Sequence, residues 1–160
     1  LIDLGVCAVA AGDSKEGRAF LEESISLARE QGDKSSLALG LSHLGDVALA
    51  EGDAERAAAL HTQSLTLARQ AQDQARTAQA LVGLAQVAHH HGNAEKAVRL
   101  WGAAAALRAA IGLVLPLPER TACEQSVAAA HIQLGDEIFE RAWSQGKAMS
   151  VAQAVADALA

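Results

Sequence analysis

Small and apolar residues recur along the first two thirds of the chain with a period of 40 residues. The recurring positions read, in chain order, Leu4-Gly5, Leu44-Gly45 and Leu84-Ala85; Gly12-Asp13, Gly52-Asp53 and Gly92-Asn93; Gly17, Ala57 and Ala97; Ser24, Ser64 and Ala104; Leu27, Leu67 and Leu107. Agreement among three registers at so many positions is hard to obtain by chance. The pattern therefore predicts three copies of one structural unit.

Each unit is predicted to be a pair of helices. A glycine in the left-handed conformation ends the first helix of each pair, at Gly12, Gly52 and Gly92. The Asp or Asn that follows caps the next helix, and Asp13 has Glu16 three residues on, the spacing of a capping box. Asp33 and Asp73 are equivalent caps between units. The predicted helices lie near residues 1–11, 14–31, 34–51, 54–71, 74–91 and 94–111.

The period stops after Gly112, where Pro116 and Pro118 indicate an extended turn. We predict a helix from Pro118 to about residue 134, a second from 136 to about 146, and a third that Ser150 and Gln153 open as a capping box. These helices are expected to cover the apolar face of the third unit. The chain is thus predicted to be one all-α domain, with three hairpins in residues 1–111 and capping helices in residues 112–160.

The unit resembles the tetratricopeptide repeat in its Leu-Gly pair, its Gly-Asp turn seven residues later, and the small residue that follows. The resemblance implies a right-handed superhelix of antiparallel helix hairpins. The chain departs from the family in two ways. Its unit has 40 residues instead of the usual 34, and alanine (Ala8, Ala48 and Ala88) stands where the family has a tyrosine.

A more specific resemblance begins at Leu100-Trp101-Gly102. It continues through Leu107-Arg108, Ile111-Gly112, Pro118-Glu119-Arg120, Leu134-Gly135, Phe139, Ala142-Trp143, Gly146, Met149-Ser150 and Ala154. These residues are similar to the end of the helical sensor region in bacterial LuxR-type and related ATP-dependent transcriptional regulators. The resemblance implies signal reception, contact with a nucleotide-binding domain of the parent chain, and control of oligomerisation. The chain itself has no GxxxxGK phosphate loop and no basic recognition helix.

Composition supports the helical interpretation and narrows the partners. The apolar half of the chain is rich in alanine and poor in aromatic residues, which suits close helix contacts better than a sheet. The net charge of −6 without a Lys/Arg cluster argues against direct nucleic-acid binding. The longest uncharged apolar stretch, 109–118, is shorter than the roughly 20 residues of a membrane span. Cys7 and Cys123 lack ligand spacing, so we expect two buried thiols in a cytoplasmic protein, with no cofactor.

The first helix of each pair is expected to line a concave binding face. That face would show Ile2, Val6, Val9, Leu39, Ser42, Asp46, Leu49, Gln79, Val82, Gln86 and His89. Its mixed character suits a protein or peptide helix or a small organic inducer. We expect no Lys or Arg at its centre, which argues against the carboxylate clamp of some tetratricopeptide domains. Alternatively, the face is covered by the parent chain or by another copy.

The histidines are expected to be structural. Consecutive side chains on a helix point about 100° apart, so His89, His90 and His91 cannot meet one metal ion. They are more simply explained by a helix C-terminus. His43 and Asp46 share a helical face without a nucleophile, and the two tryptophans are expected to pack the cap. We therefore predict no metal and no enzyme. The favoured function is a sensing and interaction domain of a transcriptional regulator; the alternative is an adaptor unrelated to transcription.

Overall fold

Nine α-helices and no strands make up the computed structural model, which describes residues 1–160. The helices are α1 (Ile2–Ala10), α2 (Ser14–Gln31), α3 (Lys34–Ala50), α4 (Ala54–Gln70), α5 (Gln74–His90), α6 (Ala94–Ala110), α7 (Leu117–Leu134), α8 (Asp136–Ala148) and α9 (Val151–Leu159). The all-α prediction is confirmed, with boundaries within two residues of those expected. Helices α1–α2, α3–α4 and α5–α6 form hairpins one, two and three, which stack in chain order.

Glycine and aspartate set the helix ends as the sequence predicted. Gly12, Gly52 and Gly92 have positive φ angles of 92°, 85° and 79°. The side chains of the five cap residues each accept a hydrogen bond from the backbone N–H three positions on, at Asp13, Asp33, Asp53, Asp73 and Asn93. The local sequence therefore specifies the turns without help from distant parts of the chain.

Only one of the two expected capping boxes forms both of its bonds. Ser150 and Gln153 exchange them, at 2.8 and 3.2 Å. Asp13 accepts from the Glu16 N–H, but its own N–H donates to the carbonyl of Ala8. That N–H closes the end of α1, so it is not free for the Glu16 side chain.

Small residues line the contacts between the helices. Ala57, Ala85 and Ala97 are fully buried, and a Cβ added to Gly45 would lie 2.7 Å from the ring of His61. A Cβ on Gly83 would also meet that ring. The His61 side chain of α4 thus fills the space that glycine leaves on α3 and α5.

The leucine that precedes the small residue Gly5, Gly45 or Ala85 is buried in hairpins two and three only. Leu44 and Leu84 are buried, whereas Leu4 is 55% exposed. Leu44 shares a core cluster with Ile25 of hairpin one, and Leu84 shares one with Leu65 of hairpin two, whereas Leu4 belongs to no core cluster. The same repeat position is therefore buried only where a neighbouring unit covers it.

Helix α8, and not α7, packs most closely on hairpin three. A Cβ on Gly102 of α6 would lie 2.7 Å from the Trp143 carbonyl, and a Cβ on Gly146 of α8 would meet the Arg99 carbonyl. Helix α9 is joined to α6 by a two-bond ion pair between Arg99 and Asp157, with both N–O distances at 3.1 Å. Trp101, Phe139 and Ala142 lie in the resulting core. Helix α7 buries only Ala130.

Candidate functional site

A groove of about 570 Å³ runs along the first helices of the three hairpins and is closed on one side by the segment that leads into α7. Its lining comprises Val6, Val9 and Ala10 of α1, Leu21 of α2, His43, Asp46 and Val47 of α3, Ala75, Arg76, Gln79, Val82, Gly83 and Gln86 of α5, Arg108 of α6, and Leu113, Val114, Leu115, Pro116, Glu119, Ala122 and Cys123. More than half of these residues are apolar. The volume lies within the roughly 300–1,000 Å³ of small-molecule sites.

Six of the eleven residues expected on the concave face line this groove: Val6, Val9, Asp46, Gln79, Val82 and Gln86. The other five, Ile2, Leu39, Ser42, Leu49 and His89, do not line it. The first helices therefore do form a shared surface, but the strip open to the groove is narrower than the sequence suggested.

Ser42 shows why the predicted strip was too wide. Its side chain is 1% exposed, and its Oγ lies 2.9 Å from the Oγ of Ser64, which donates to the carbonyl of Ala38 at 2.7 Å. Helix α3 is packed against α2, α4 and α5 together. Three covered sides leave only His43, Asp46 and Val47 of α3 on the groove, so Ser42 cannot contact a ligand there.

His89 belongs to the core of hairpin three. Its ring is half-buried against Trp101, with the ring centroids 5.7 Å apart, and its Nδ1 is buried without a hydrogen-bond partner. His90 and His91 are exposed at the end of α5. No group of three or more His, Cys, Asp or Glu side chains is arranged to hold a metal ion. His90 and His91 therefore lie at the C-terminal end of α5, and His89 packs against Trp101.

Two arginines line the groove, both near the end that lies away from the Gly92 turn. Arg76 extends from α5 and is held by the Oε1 of Gln79 at 3.1 Å, and Arg108 extends from the end of α6. Both side chains are half-buried. Guanidinium groups can pair with carboxylates, so the expectation that the centre of the face lacks basic residues does not exclude an acidic ligand at this end of the groove.

Asp46 is flanked by two histidines. Its carboxylate oxygens lie 3.7 Å from the Nδ1 of His43 and 3.6 Å from the Nε2 of His61. Burial lowers the pKa of His61, which Asp46 opposes and His43 reinforces. Both ring nitrogens of His61 lack a hydrogen-bond partner. The cluster thus holds a neutral buried imidazole beneath a carboxylate that faces the groove.

The C-terminal third supplies a wall of the groove that the repeat pattern does not predict. Leu113 and Val114 come from the loop between α6 and α7, and Glu119 comes from the first turn of α7. The uncharged stretch 109–118, which contains the loop between α6 and α7, was a usable signal, because exposed apolar residues that cluster on a surface mark binding sites.

The two cysteines differ from expectation and from each other. Cys7 is exposed, so the prediction of two buried thiols is wrong. Cys123 is half-buried and lines the groove. Burial raises the pKa of the Cys123 thiol, and the neighbouring Arg108 opposes that rise. A thiol with a raised pKa is a weak nucleophile at neutral pH.

Comparison with known families supports the repeat interpretation. A tetratricopeptide repeat model matches residues 1–70, and the same hairpin and cap geometry continues through α5 and α6. Such repeats generally mediate protein–protein interaction and act as non-enzymatic scaffolds. No curated protein and no solved structure shows a significant match to the chain. None of the nine helices has both the length and the apolar composition of a membrane span.

Proposed function

We propose that this chain is a non-enzymatic sensing module that binds a peptide, a protein segment or a small inducer in the groove between its first helices and α7. The observation that carries the proposal is the groove itself, because both the hairpins and the C-terminal third of the chain line it. Its floor comes from α1, α3 and α5, and one wall comes from residues 113–123. An occupant would contact both parts at once.

The packing suggests how occupancy would be transmitted. Helix α7 buries a single residue, Ala130, whereas α8 contributes Phe139, Ala142 and Gly146 to the interior. A weakly buried element is the part of a fold that moves at least cost. We propose that an occupant fixes α7 against the hairpins and so changes the surface that α7 presents to the rest of a parent protein.

The chemistry of the lining supports binding over catalysis. The ion-pair partners of Asp46 are His43 and His61, and neither of them supplies a hydroxyl or thiol nucleophile. Cys123 lines the same groove, but its raised pKa keeps the thiol protonated at neutral pH. The side chains present can orient a ligand by charge and hydrogen bonds, which is the role we assign to them.

The resemblance of residues 100–154 to LuxR-type regulators supplies the wider proposal. We propose that residues 112–160 form one domain with the repeats, in a cytoplasmic bacterial transcriptional regulator. The domain would contact a nucleotide-binding domain of the parent chain, or a second copy, and leave DNA contact to another region. The complete reading frame tests this: a phosphate loop upstream and a helix-turn-helix downstream are expected, and a frame with neither would exclude it.

The alternative is an adaptor with no link to transcription, which the tetratricopeptide-like repeats alone would support. Purified chain used as bait discriminates the two. A stable partner encoded apart from the parent gene favours the adaptor, and binding to the parent's own nucleotide-binding domain favours the regulator.

Hydrogen–deuterium exchange of α7 tests the groove as the sensing site. Addition of ligand-containing cell extract should slow exchange in residues 117–134, and Val82→Trp, which fills the groove, should abolish the change. Ala59→Trp places the same side chain on an exposed position of α4 and is the matched control. Equal protection in Val82→Trp and the unmodified chain would place the binding site elsewhere.

A further inference from the structure

The two arginines of the groove differ from the other half-buried arginines of the molecule. Arg18 pairs with Glu51, and Arg99 pairs with Asp157. Arg76 and Arg108 are half-buried as well, but neither has a carboxylate within 4.0 Å, and the one side-chain hydrogen bond of Arg76 goes to the neutral Gln79. Two partly desolvated guanidinium groups without an anion favour a ligand that supplies one.

The arginines lie at the same end of the groove. Gly92 lies in the turn between α5 and α6, and Arg76 and Arg108 are equally far from it along the chain. Because the two helices are antiparallel, both arginines lie at the open end of hairpin three. Glu119 is the acidic residue of the lining on this side, and it forms an ion pair with neither arginine.

The opposite end of the groove carries a different charge. Asp46 occupies the repeat position of Gln86, and the ten residues from Arg76 to Gln86 correspond to about 15 Å of helix. Between these ends the lining is mainly apolar, with Val82 from α5 and Leu113 and Val114 from the closing segment. The groove is therefore an apolar channel with a basic end.

The size of the groove favours a small molecule. Its volume of about 570 Å³ lies in the range of ligand sites, whereas a stable protein–protein interface buries about 1,200–2,000 Å² of surface. A ligand of this size reaches the arginines and the apolar wall together.

We propose that the groove binds an amphipathic organic acid, with its carboxylate on Arg76 and Arg108 and its apolar body along Val82, Leu113 and Val114. This inference rests on the proposed function and narrows its ligand class. Guanidinium groups pair with carboxylates through parallel N–H···O bonds, and such charge-assisted bonds are stronger than neutral ones. The neutral analogue of the acid lacks that interaction and binds more weakly.

Matched probes test the inference by isothermal titration calorimetry on the full chain. Decanoate and decanamide share one apolar body, as do 4-phenylbutyrate and its amide. We expect at least one acid to bind at least about tenfold more tightly than its amide. Arg76→Gln and Arg108→Gln should each lower the affinity for that acid by about the same factor. Binding of the amides should not change in these variants. Arg69→Gln, on an exposed position of α4, is the control.

Circular dichroism and the melting temperature of each variant test whether the fold is retained. Arg76→Lys keeps the charge but lacks the planar guanidinium group, and it should lose less affinity than Arg76→Gln. Equal affinity for acid and amide, or no effect of either glutamine substitution, would overturn the inference. So would the failure of both acids to bind at about 1 mM.

The Val82→Trp variant separates this inference from the proposed function. If acid and amide bind equally and Val82→Trp abolishes both, the groove is a ligand site but does not select carboxylates. If Val82→Trp leaves the affinity of every bound probe unchanged, the groove is not where these ligands bind, and the proposed function loses its site as well.

Discussion

Hairpins one and three carry the same 40-residue pattern, yet they bury it to different extents. Over equivalent stretches of the first helices, hairpin one buries only Gly5, whereas hairpin three buries Gly83, Leu84, Ala85 and Val87. At one repeat position, Leu4 is 55% exposed and Leu84 is 7% exposed. Hairpin three lies between hairpin two and the helices α8 and α9, while hairpin one has a packed neighbour on one side only. The comparison shows that a repeat acquires its core from its neighbours.

One repeat position in the second helix of each hairpin is buried in all three hairpins. Leu21, His61 and Trp101 occupy one repeat position and are all nearly fully buried. Leu21 packs against Gly5 and His61 against Gly45. Trp101 lies in one core cluster with Ala85. The position is thus constant in burial but variable in chemistry, which makes it the best place to test how the hairpins differ.

Trp101→Ala is expected to have the largest effect, a loss of about 3–5 kcal/mol in the free energy of unfolding. The side chain is fully buried between hairpin three and the cap, and its removal leaves a large cavity. Urea denaturation measures the loss. Trp143→Ala is the control, because Trp143 is only half-buried and should cost less. A loss below about 1 kcal/mol for Trp101→Ala would show that hairpin three does not depend on this core.

Leu84→Ala and Leu4→Ala compare one repeat position in two hairpins. We expect Leu84→Ala to cost about 2–4 kcal/mol and Leu4→Ala less than about 1 kcal/mol, because only Leu84 is buried. Leu44→Ala should resemble Leu84→Ala. Equal losses for Leu4 and Leu84, measured by denaturation, would contradict the neighbour-dependent burial described above.

His61→Leu should reduce the loss of folding stability at acidic pH. Hairpins one and three have no titratable side chain at this repeat position. Burial lowers the pKa of His61, so below the ordinary value near 6.5 the unfolded chain binds a proton that the folded chain does not. Stability therefore falls as the pH drops through 6.5, by up to about 1.4 kcal/mol per pH unit. His43 and Asp46 face this ring and remain in the variant.

Melting curves between pH 7.5 and 5.5 measure this difference. The unmodified chain should lose stability over this range, and His61→Leu should lose less. The exposed His91 provides the control variant His91→Leu, which should keep the slope of the unmodified chain. An identical slope in all three proteins would show that His61 does not titrate differently on folding.

Gln72→Gly is expected to have the smallest effect, a gain of about 0.5–1 kcal/mol. Gln72 has a φ of 55° between hairpins two and three, where the equivalent Gly32 and Gly112 have 68° and 67°. A left-handed residue with a Cβ costs about 1–2 kcal/mol, which exceeds the entropy that glycine adds to the unfolded chain. Gln63→Gly, in the middle of α4, should instead destabilise by about 1 kcal/mol. A loss of stability in Gln72→Gly would refute the strain at this turn.

The local sequence determined the helices and their ends. The glycine and aspartate pairs, such as Gly52-Asp53, act within a few residues of themselves, so their caps and positive φ angles follow from chemistry alone. The same holds for the period of 40, which predicted the three hairpins. Even there, Gln72 adopts the left-handed conformation without glycine, because the flanking helices impose the turn.

The tertiary structure decided burial and the composition of the groove. Ser42 and Asp46 lie four residues apart on one helix, yet contacts with three neighbouring helices bury the first and leave the second on the groove. Arg108 and Glu119 joined the site through α6 and α7, which the repeat pattern does not relate to α3. A period along one chain fixes the direction of side chains around a helix, but only the packing of distant helices fixes which directions stay open to a ligand.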